Sequence, residues 1–223
     1  MARRLPPRLI GLTPGFAEDA RAANELLGRL REYAGAGLTG CLVREPGLDD
    51  RDLSWLAREL RSVFPVATGG WLAVHDRVHV ALTIGADAVH LGFRSLRPLE
   101  ARRAIAAAQQ STPVPLAIGL STHAHDDPTE WVGADYLFHG PVFETPSKVG
   151  LVQPTGLEGL ALAASRRPDP GAPFYALGGV TARRLPRVLE AGADGVAVLG
   201  ALFGPAGGLE ELRQLVSTLG LVG

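Results

Sequence analysis

The chain has 223 residues, 46% of them apolar, and a formal net charge of -1. That balance argues against a general affinity for nucleic acid or acidic membranes and leaves room for local basic patches. Cys41 is the one cysteine, so no intrachain disulfide can form, and no run approaches the ~20 apolar residues of a membrane span.

The chain opens with Arg3 and Arg4, then Pro6, Pro7 and an apolar run from Leu9 to Leu12, too short for the core of a signal peptide. The expectation is a cytoplasmic protein, residues 1–223 forming a single domain around one shared core. Short β-type runs then alternate with longer helical patterns to the end. The predicted strands are Leu9–Thr13, Gly40–Val43, Leu72–Val74, Ala88–Leu91, Val114–Ile118, Tyr136–Phe138, Phe174–Leu177 and Gly195–Leu199. Between and after them lie predicted helices at Ala17–Tyr33, Asp50–Val63, Arg77–Ile84, Leu99–Gln109, Pro128–Val132, Gly156–Ser165, Thr181–Glu190 and Leu209–Leu219. The fifth helix is the weak beat, crowded by Asp126, Asp127 and Pro128. The strands carry few charges, as strands covered on both faces do in a parallel sheet.

A tripeptide recurs: Gly85, Ala86, Asp87; then Gly133, Ala134, Asp135; then Gly192, Ala193, Asp194. Each copy ends a helical pattern and precedes a strand, where glycine supplies the positive φ that turns the chain. Eight alternations with a recurrent turn predict an α/β fold, a (β/α)8 TIM barrel, in preference to an open doubly wound sheet.

In such a barrel, chemistry belongs at the C-terminal strand ends. All six histidines lie between His75 and His139, with His75, His90, His123 and His139 at or just past strand ends. His75 and His79 have H-x-x-x-H spacing, but the first falls at a strand end and the second in a predicted helix; with no such pair on one helix face, no metal site is expected from the histidines. His90 reads as a core histidine bonded to backbone, and His79 and His125 as exposed. Gly178 and Gly179 after strand seven, with Gly200 and Ala201 after strand eight, offer bare amides suited to a phosphate. Lys148 is the sole lysine beside 21 arginines, on a long loop shaped by Gly140, Pro141, Pro146 and Gly150. A compact ammonium follows an anion in a way that a planar guanidinium does not. Phe93 and Trp71 read as core aromatics near strand ends.

Taken together, the segments Val74–Asp76, Gly85–Gly92, Gly119–His123, Gly133–Tyr136, Gly140–Thr145 with Lys148, Leu177–Val180 and Gly192–Val198 resemble the thiamine phosphate synthase and TenI superfamily over nearly the whole chain. The resemblance implies a (β/α)8 barrel acting on phosphorylated thiazoles. Its synthase branch joins hydroxymethylpyrimidine diphosphate to a thiazole phosphate with magnesium; its TenI branch aromatises a carboxythiazole phosphate.

Departures from the synthase pattern favour TenI. After strand two only Arg44 remains of a Gln-x-Arg-x-Lys pattern; an Asn-Asp pair after strand three appears as His75 and Asp76; and Phe93, Arg94 and Ser95 replace a Gln-x-Asp, which removes one of two magnesium-binding aspartates. Ser121 and His123 resemble the Ser-x-His of the TenI branch. The expectation is therefore a thiazole tautomerase, an isomerase of thiamine biosynthesis. In that reading His123 is the catalytic acid and base. Arg44, His75, Asp76, Ser121, Thr145 and Lys148 bind substrate, and Gly178, Gly179, Gly200 and Ala201 hold the phosphate, with no metal or other cofactor. The alternatives are a divergent thiamine phosphate synthase, with magnesium, and a non-catalytic ligand-binding or regulatory paralogue. The expected partner is a small phosphorylated thiazole, with no nucleic acid or membrane, and a homodimer is among the assemblies left open.

Overall fold

The computed structural model describes residues 2–108, 115–145 and 152–221. Eight parallel strands close into a barrel in sequence order: β1 (Leu9–Leu12), β2 (Gly40–Val43), β3 (Trp71–His75), β4 (Ala88–Leu91), β5 (Ala117–Thr122), β6 (Tyr136–His139), β7 (Phe174–Leu177) and β8 (Gly195–Val198). Pairing of Leu9 with Val196 and Gly11 with Val198 joins the last strand to the first. The TIM barrel read from the alternation is the observed fold.

Around the barrel run α1 (Ala20–Gly35), α2 (Asp50–Val63), α3 (Val78–Thr83), α4 (Pro98–Ala108), α5 (Gly156–Ser165), α6 (Leu185–Glu190), α7 (Gly200–Phe203) and α8 (Leu209–Thr218). In α2 the buried residues Leu53, Leu56, Ala57 and Leu60 recur at 3.6-residue spacing, and Asp49 caps its start by accepting from the Asp52 N–H at 2.8 Å. The fifth connection is not an α-helix. Pro128–Trp131 forms a single 3-10 turn, because proline and three acidic side chains between residues 126 and 130 leave too few helix-forming positions. No helix among the described residues is long and apolar enough to cross a membrane.

Alternation along the strands splits the core in two. Ile10, Leu42, Trp71, Ala88, Tyr136, Phe138 and Tyr175 pack inside the barrel, while Leu9, Val43, Leu72, Val89 and Val196 pack outward against the helices. The N-terminal segment closes the lower end, where Tyr175 Oη donates to Pro6 O at 2.7 Å and the Trp71 indole N–H donates to Arg4 O at 3.3 Å. Trp71 is thus a core residue of the barrel floor.

The three Gly-Ala-Asp repeats do one mechanical job. Each glycine has positive φ, 65°, 92° and 96° in order. Each aspartate's carboxylate accepts a backbone N–H at the start of the preceding strand or just inside it: Asp87 from Leu72 (2.8 Å), Asp135 from Ile118 (2.8 Å) and Asp194 from Phe174 (2.9 Å). The aspartates' own N–H groups donate back to the same three residues' carbonyls at 2.8, 2.7 and 2.7 Å. Arginines complete each clamp: Arg4 and Arg61 on Asp87, Arg3 and Arg102 on Asp135, Arg167 on Asp194.

Candidate functional site at the C-terminal mouth

Parallel closure brings every predicted site residue within the described chain to the C-terminal end of the barrel. Lys148 lies outside the described residues. At the end of β2, Arg44 donates its backbone N–H to Thr13 Oγ1 at 2.7 Å and leaves its side chain exposed. Its neighbour Glu45 is 2% exposed, and its carboxylate accepts from the N–H groups of Gly15 (2.9 Å) and Ala17 (2.8 Å). Glu45 thus ties the β1 loop to the β2 end. The sequence reading passed over it because a single glutamate beside a proline carries no pattern.

At the end of β3, Asp76 adopts a left-handed φ of 58°. A residue that lacks glycine's freedom pays about 1–3 kcal/mol for such a backbone, and strain of this kind gathers at functional sites. Its carboxylate is heavily engaged: His75 Nδ1 lies at 3.1 Å, the Gly92 N–H donates at 3.0 Å, and the Ser95 hydroxyl donates as well. Burial works to raise the Asp76 pKa. The hydrogen bonds from His75 and Ser95, the His75 charge and the Gly92 N–H outweigh it and hold the carboxyl well below its usual range.

His90 is the core histidine its reading gave, 1% exposed, but it bonds to side chains and not to backbone. It lies inside the barrel with Nδ1 3.2 Å from Tyr136 Oη and Nε2 2.9 Å from Ser121 Oγ. Burial, with the His75 charge, pushes its pKa down to about 3, so the ring is neutral at working pH. Phe93 departs from its reading: it is 74% exposed on the mouth, edge-on to His123 at 6.1 Å and covered by the Arg94 guanidinium at 5.1 Å.

Strand five begins and ends later than predicted, which puts Ser121 and Thr122 on the strand instead of in a loop. Gly119 admits a ring: a Cβ there would lie 2.1 Å from Tyr136 Cζ. Ser121 therefore faces inward and Thr122 outward. His123 follows at the rim, its backbone N–H donating to Asp126 Oδ2 at 2.7 Å and its Nδ1 3.6 Å from the same oxygen. On the outer face, His139 Nδ1 lies 2.9 Å from Thr122 Oγ1, and burial pushes its pKa down to about 4.

The loops after β6 and β7 are stitched together. Val142 and Phe143 donate their N–H groups to Leu177 O (2.9 Å) and Gly178 O (3.1 Å). Gly178 and Gly179 have φ of 98° and 64°, and a Cβ on either would strike Pro141 or Phe143 at under 3 Å. These glycines are demanded by packing as well as by any anion. Among the described residues, no backbone bond between loops uses the N–H of Gly178, Gly179, Gly200 or Ala201. Gly200 and Ala201 open α7, a turn the sequence reading left as loop. Arg184, also unnoticed in the sequence, covers Phe143 at 4.5 Å and donates to Gly179 O at 2.7 Å, which sets a cation beside these amides.

A family model described as thiamine monophosphate synthase matches residues 16–202, which span seven of the eight strands and the loops that follow them up to α7. The chain belongs to that family. Thiamine-phosphate synthases of Syntrophomonas wolfei and Albidiferax ferrireducens are each 35% identical to it, the first over 85% of this chain and 88% of that protein, the second over 95% and 93%. Among solved structures, thiamine phosphate pyrophosphorylase from Pyrococcus furiosus superposes with a TM-score of 0.75 at 27% identity, covering 97% of both chains.

These relatives overturn the expectation of a thiazole tautomerase, and with it the isomerase class. That expectation weighed a few side-chain departures at the ends of β2, β3 and β4 above the backbone shared along the family. Loop side chains vary far more readily than the barrel that carries them.

The same departures do bear on metal. Magnesium asks for an octahedral shell of hard oxygens. Here Asp76 already accepts from three protein donors, Ser95 stands where the resemblance puts a second carboxylate, and no three His, Cys, Asp or Glu among the described residues gather as a metal-holding group. These residues do not fit a resident magnesium ion.

Proposed function

We propose that the protein is a thiamine-phosphate synthase, joining hydroxymethylpyrimidine diphosphate to a thiazole phosphate. The observation that carries this reading is 35% identity, sustained over 85% and 95% of the chain, to proteins named as thiamine-phosphate synthases. In the reaction the thiazole nitrogen forms a bond to the exocyclic methylene carbon of the pyrimidine. The C–O bond to the diphosphate breaks, and its electron pair leaves on pyrophosphate.

Such a reaction needs two anions held in register and the growing charge of the leaving group offset. Amides of Gly178, Gly179, Gly200 and Ala201 suit the thiazole phosphate. Arg44, across the mouth at the end of β2, suits the diphosphate, with Lys148 as the second cation assigned from sequence. His75, Asp76, Ser121, His123 and Thr145 lie between these poles and would contact the rings.

Purified protein incubated with both substrates, with and without added magnesium, should release thiamine phosphate and pyrophosphate in equal amounts. Folded protein that forms no coupled product under either condition would overturn the reading. Arg44→Ala should lower kcat/KM for the diphosphate by about 10–100-fold, the worth of a charge-assisted hydrogen bond.

A further inference from the structure

Three residues that no metal, cradle or cation role accounts for form a connected polar chain inside the barrel. His90, Gly119 and Tyr136 pair across β4, β5 and β6 in one row, and Ser121 lies two residues further along β5 toward the mouth. Gly119 has no side chain, and the Tyr136 ring occupies the space a Cβ would fill, 2.1 Å from Cζ. That passage lets the phenol reach His90.

We propose that Tyr136 and His90 form a buried relay that fixes Ser121 as a hydrogen-bond donor aimed into the mouth, toward an acceptor atom of the substrate. Tyr136 is fully buried, and burial raises its pKa, so the phenol keeps its proton. A buried O–H requires an acceptor, and among the described residues its partner is His90 Nδ1 at 3.2 Å. With Nδ1 accepting, the single proton of the neutral imidazole sits on Nε2 and is donated to Ser121 Oγ at 2.9 Å. Ser121 accepts there, so its own proton is directed elsewhere. The residue is half-buried at the mouth, and no protein acceptor for its hydroxyl is found among the described residues.

Phe138 holds the ring in place, with its centroid 4.3 Å from that of His90. The relay therefore acts through orientation. Its core partners set which way a surface hydroxyl is polarised, and His90 and Tyr136 are positioning residues that touch no substrate. The matching ligand feature is a ring nitrogen or a phosphate oxygen, both acceptors. Choosing between them rests on the synthase reading, but the polarity of Ser121 does not.

Nitrogen-15 NMR of the intact protein labelled at histidine tests the relay directly, with His90→Gln identifying the resonance. Wild-type His90 should show a protonated Nε2 and a bare Nδ1 at neutral pH. Tyr136→Phe, a nearly isosteric change, should release that preference. In turnover, Ser121→Ala and Tyr136→Phe should each lower kcat/KM, the first by about 10-fold, the worth of one hydrogen bond. The double variant should be no slower than Ser121→Ala alone. A proton on Nδ1, an imidazolium at neutral pH, or additive losses would overturn the relay. Protein that shows the expected tautomer and makes no coupled product would instead overturn the synthase reading and leave the relay standing.

Discussion

The two ends of this barrel are made from the same eight strands and treat charge in opposite ways. At the N-terminal end, Asp87, Asp135 and Asp194 each close a ring of backbone and guanidinium donors, and these charged groups are satisfied by one another. At the C-terminal end, Asp76 sits on a left-handed backbone, Phe16 and Phe93 are exposed, and among the described residues the amides of Gly178, Gly179, Gly200 and Ala201 make no backbone bond between loops. Parallel strands give the sheet a direction. One end can be locked for stability, which leaves the other free to carry loops shaped for a ligand.

The sharpest way to break this comparison is to dismantle the locked end one clamp at a time. The carboxylates differ in burial: the side chains of Asp87, Asp135 and Asp194 are 6%, 15% and 51% exposed. Removing a buried partner strands its arginines, at a cost of about 3–5 kcal/mol, whereas an exposed pair contributes about 0–1. Urea unfolding should therefore rank Asp87→Ala as the most destabilising, at about 3 kcal/mol, then Asp135→Ala, then Asp194→Ala at about 1. All three should leave kcat/KM within a few-fold of wild type under native conditions. Equal losses would mean that the backbone bonds, which the three share, outweigh the arginines.

The open end should answer to acid. His90 and His139 titrate in the fold near 3 and 4, below the ordinary 6.5. Between those values and 6.5 the unfolded chain binds more protons than the fold, so stability falls as pH falls through this window. Each histidine contributes at most ~1.4 kcal/mol per pH unit. Asp76, with its pKa lowered, adds to the loss only below the usual carboxylate range. His139→Leu should flatten the slope of unfolding free energy between pH 6.5 and 4.5. An unchanged slope would mean that His139 is already charged in the fold.

How much of this could be read in advance depended on whether a feature was local. The repeats, the predicted glycine turns and all eight strands follow from periodicity and from short-range φ preferences, and α2 and α5 appear with the bounds their patterns predict. Strand five was predicted to end at Ile118, yet it runs on through Gly119 to Thr122. The reason a glycine sits there, the Tyr136 ring from the neighbouring strand, is a tertiary contact with no trace nearby in sequence. Glu45 and Arg184 escaped for the same cause: one matters through loop amides 28 and 30 residues away, the other through an aromatic ring brought over by β6. The mouth was legible as a location and as a family likeness. The choice between branches was not, because it turned on loop side chains whose absence says little when the backbone cradle is kept.

The smallest expected effect lies at neither end, and it decides whether burial is the variable that separates them. Arg21 and Glu25 form an i,i+4 pair on α1 at 3.2 Å, with side chains 88% and 68% exposed. Water screens both charges, and holding two long side chains in one geometry costs entropy, so such a pair stabilises a helix by only about 0.3–0.5 kcal/mol. Arg21→Ala should therefore shift the urea midpoint less than Asp194→Ala, and 0.5 M salt should erase the difference from wild type. Suppose Arg21→Ala instead destabilised as much as Asp194→Ala. Exposure would then fail to rank the charge pairs, and the locked end would owe its stability to the strand ladder alone.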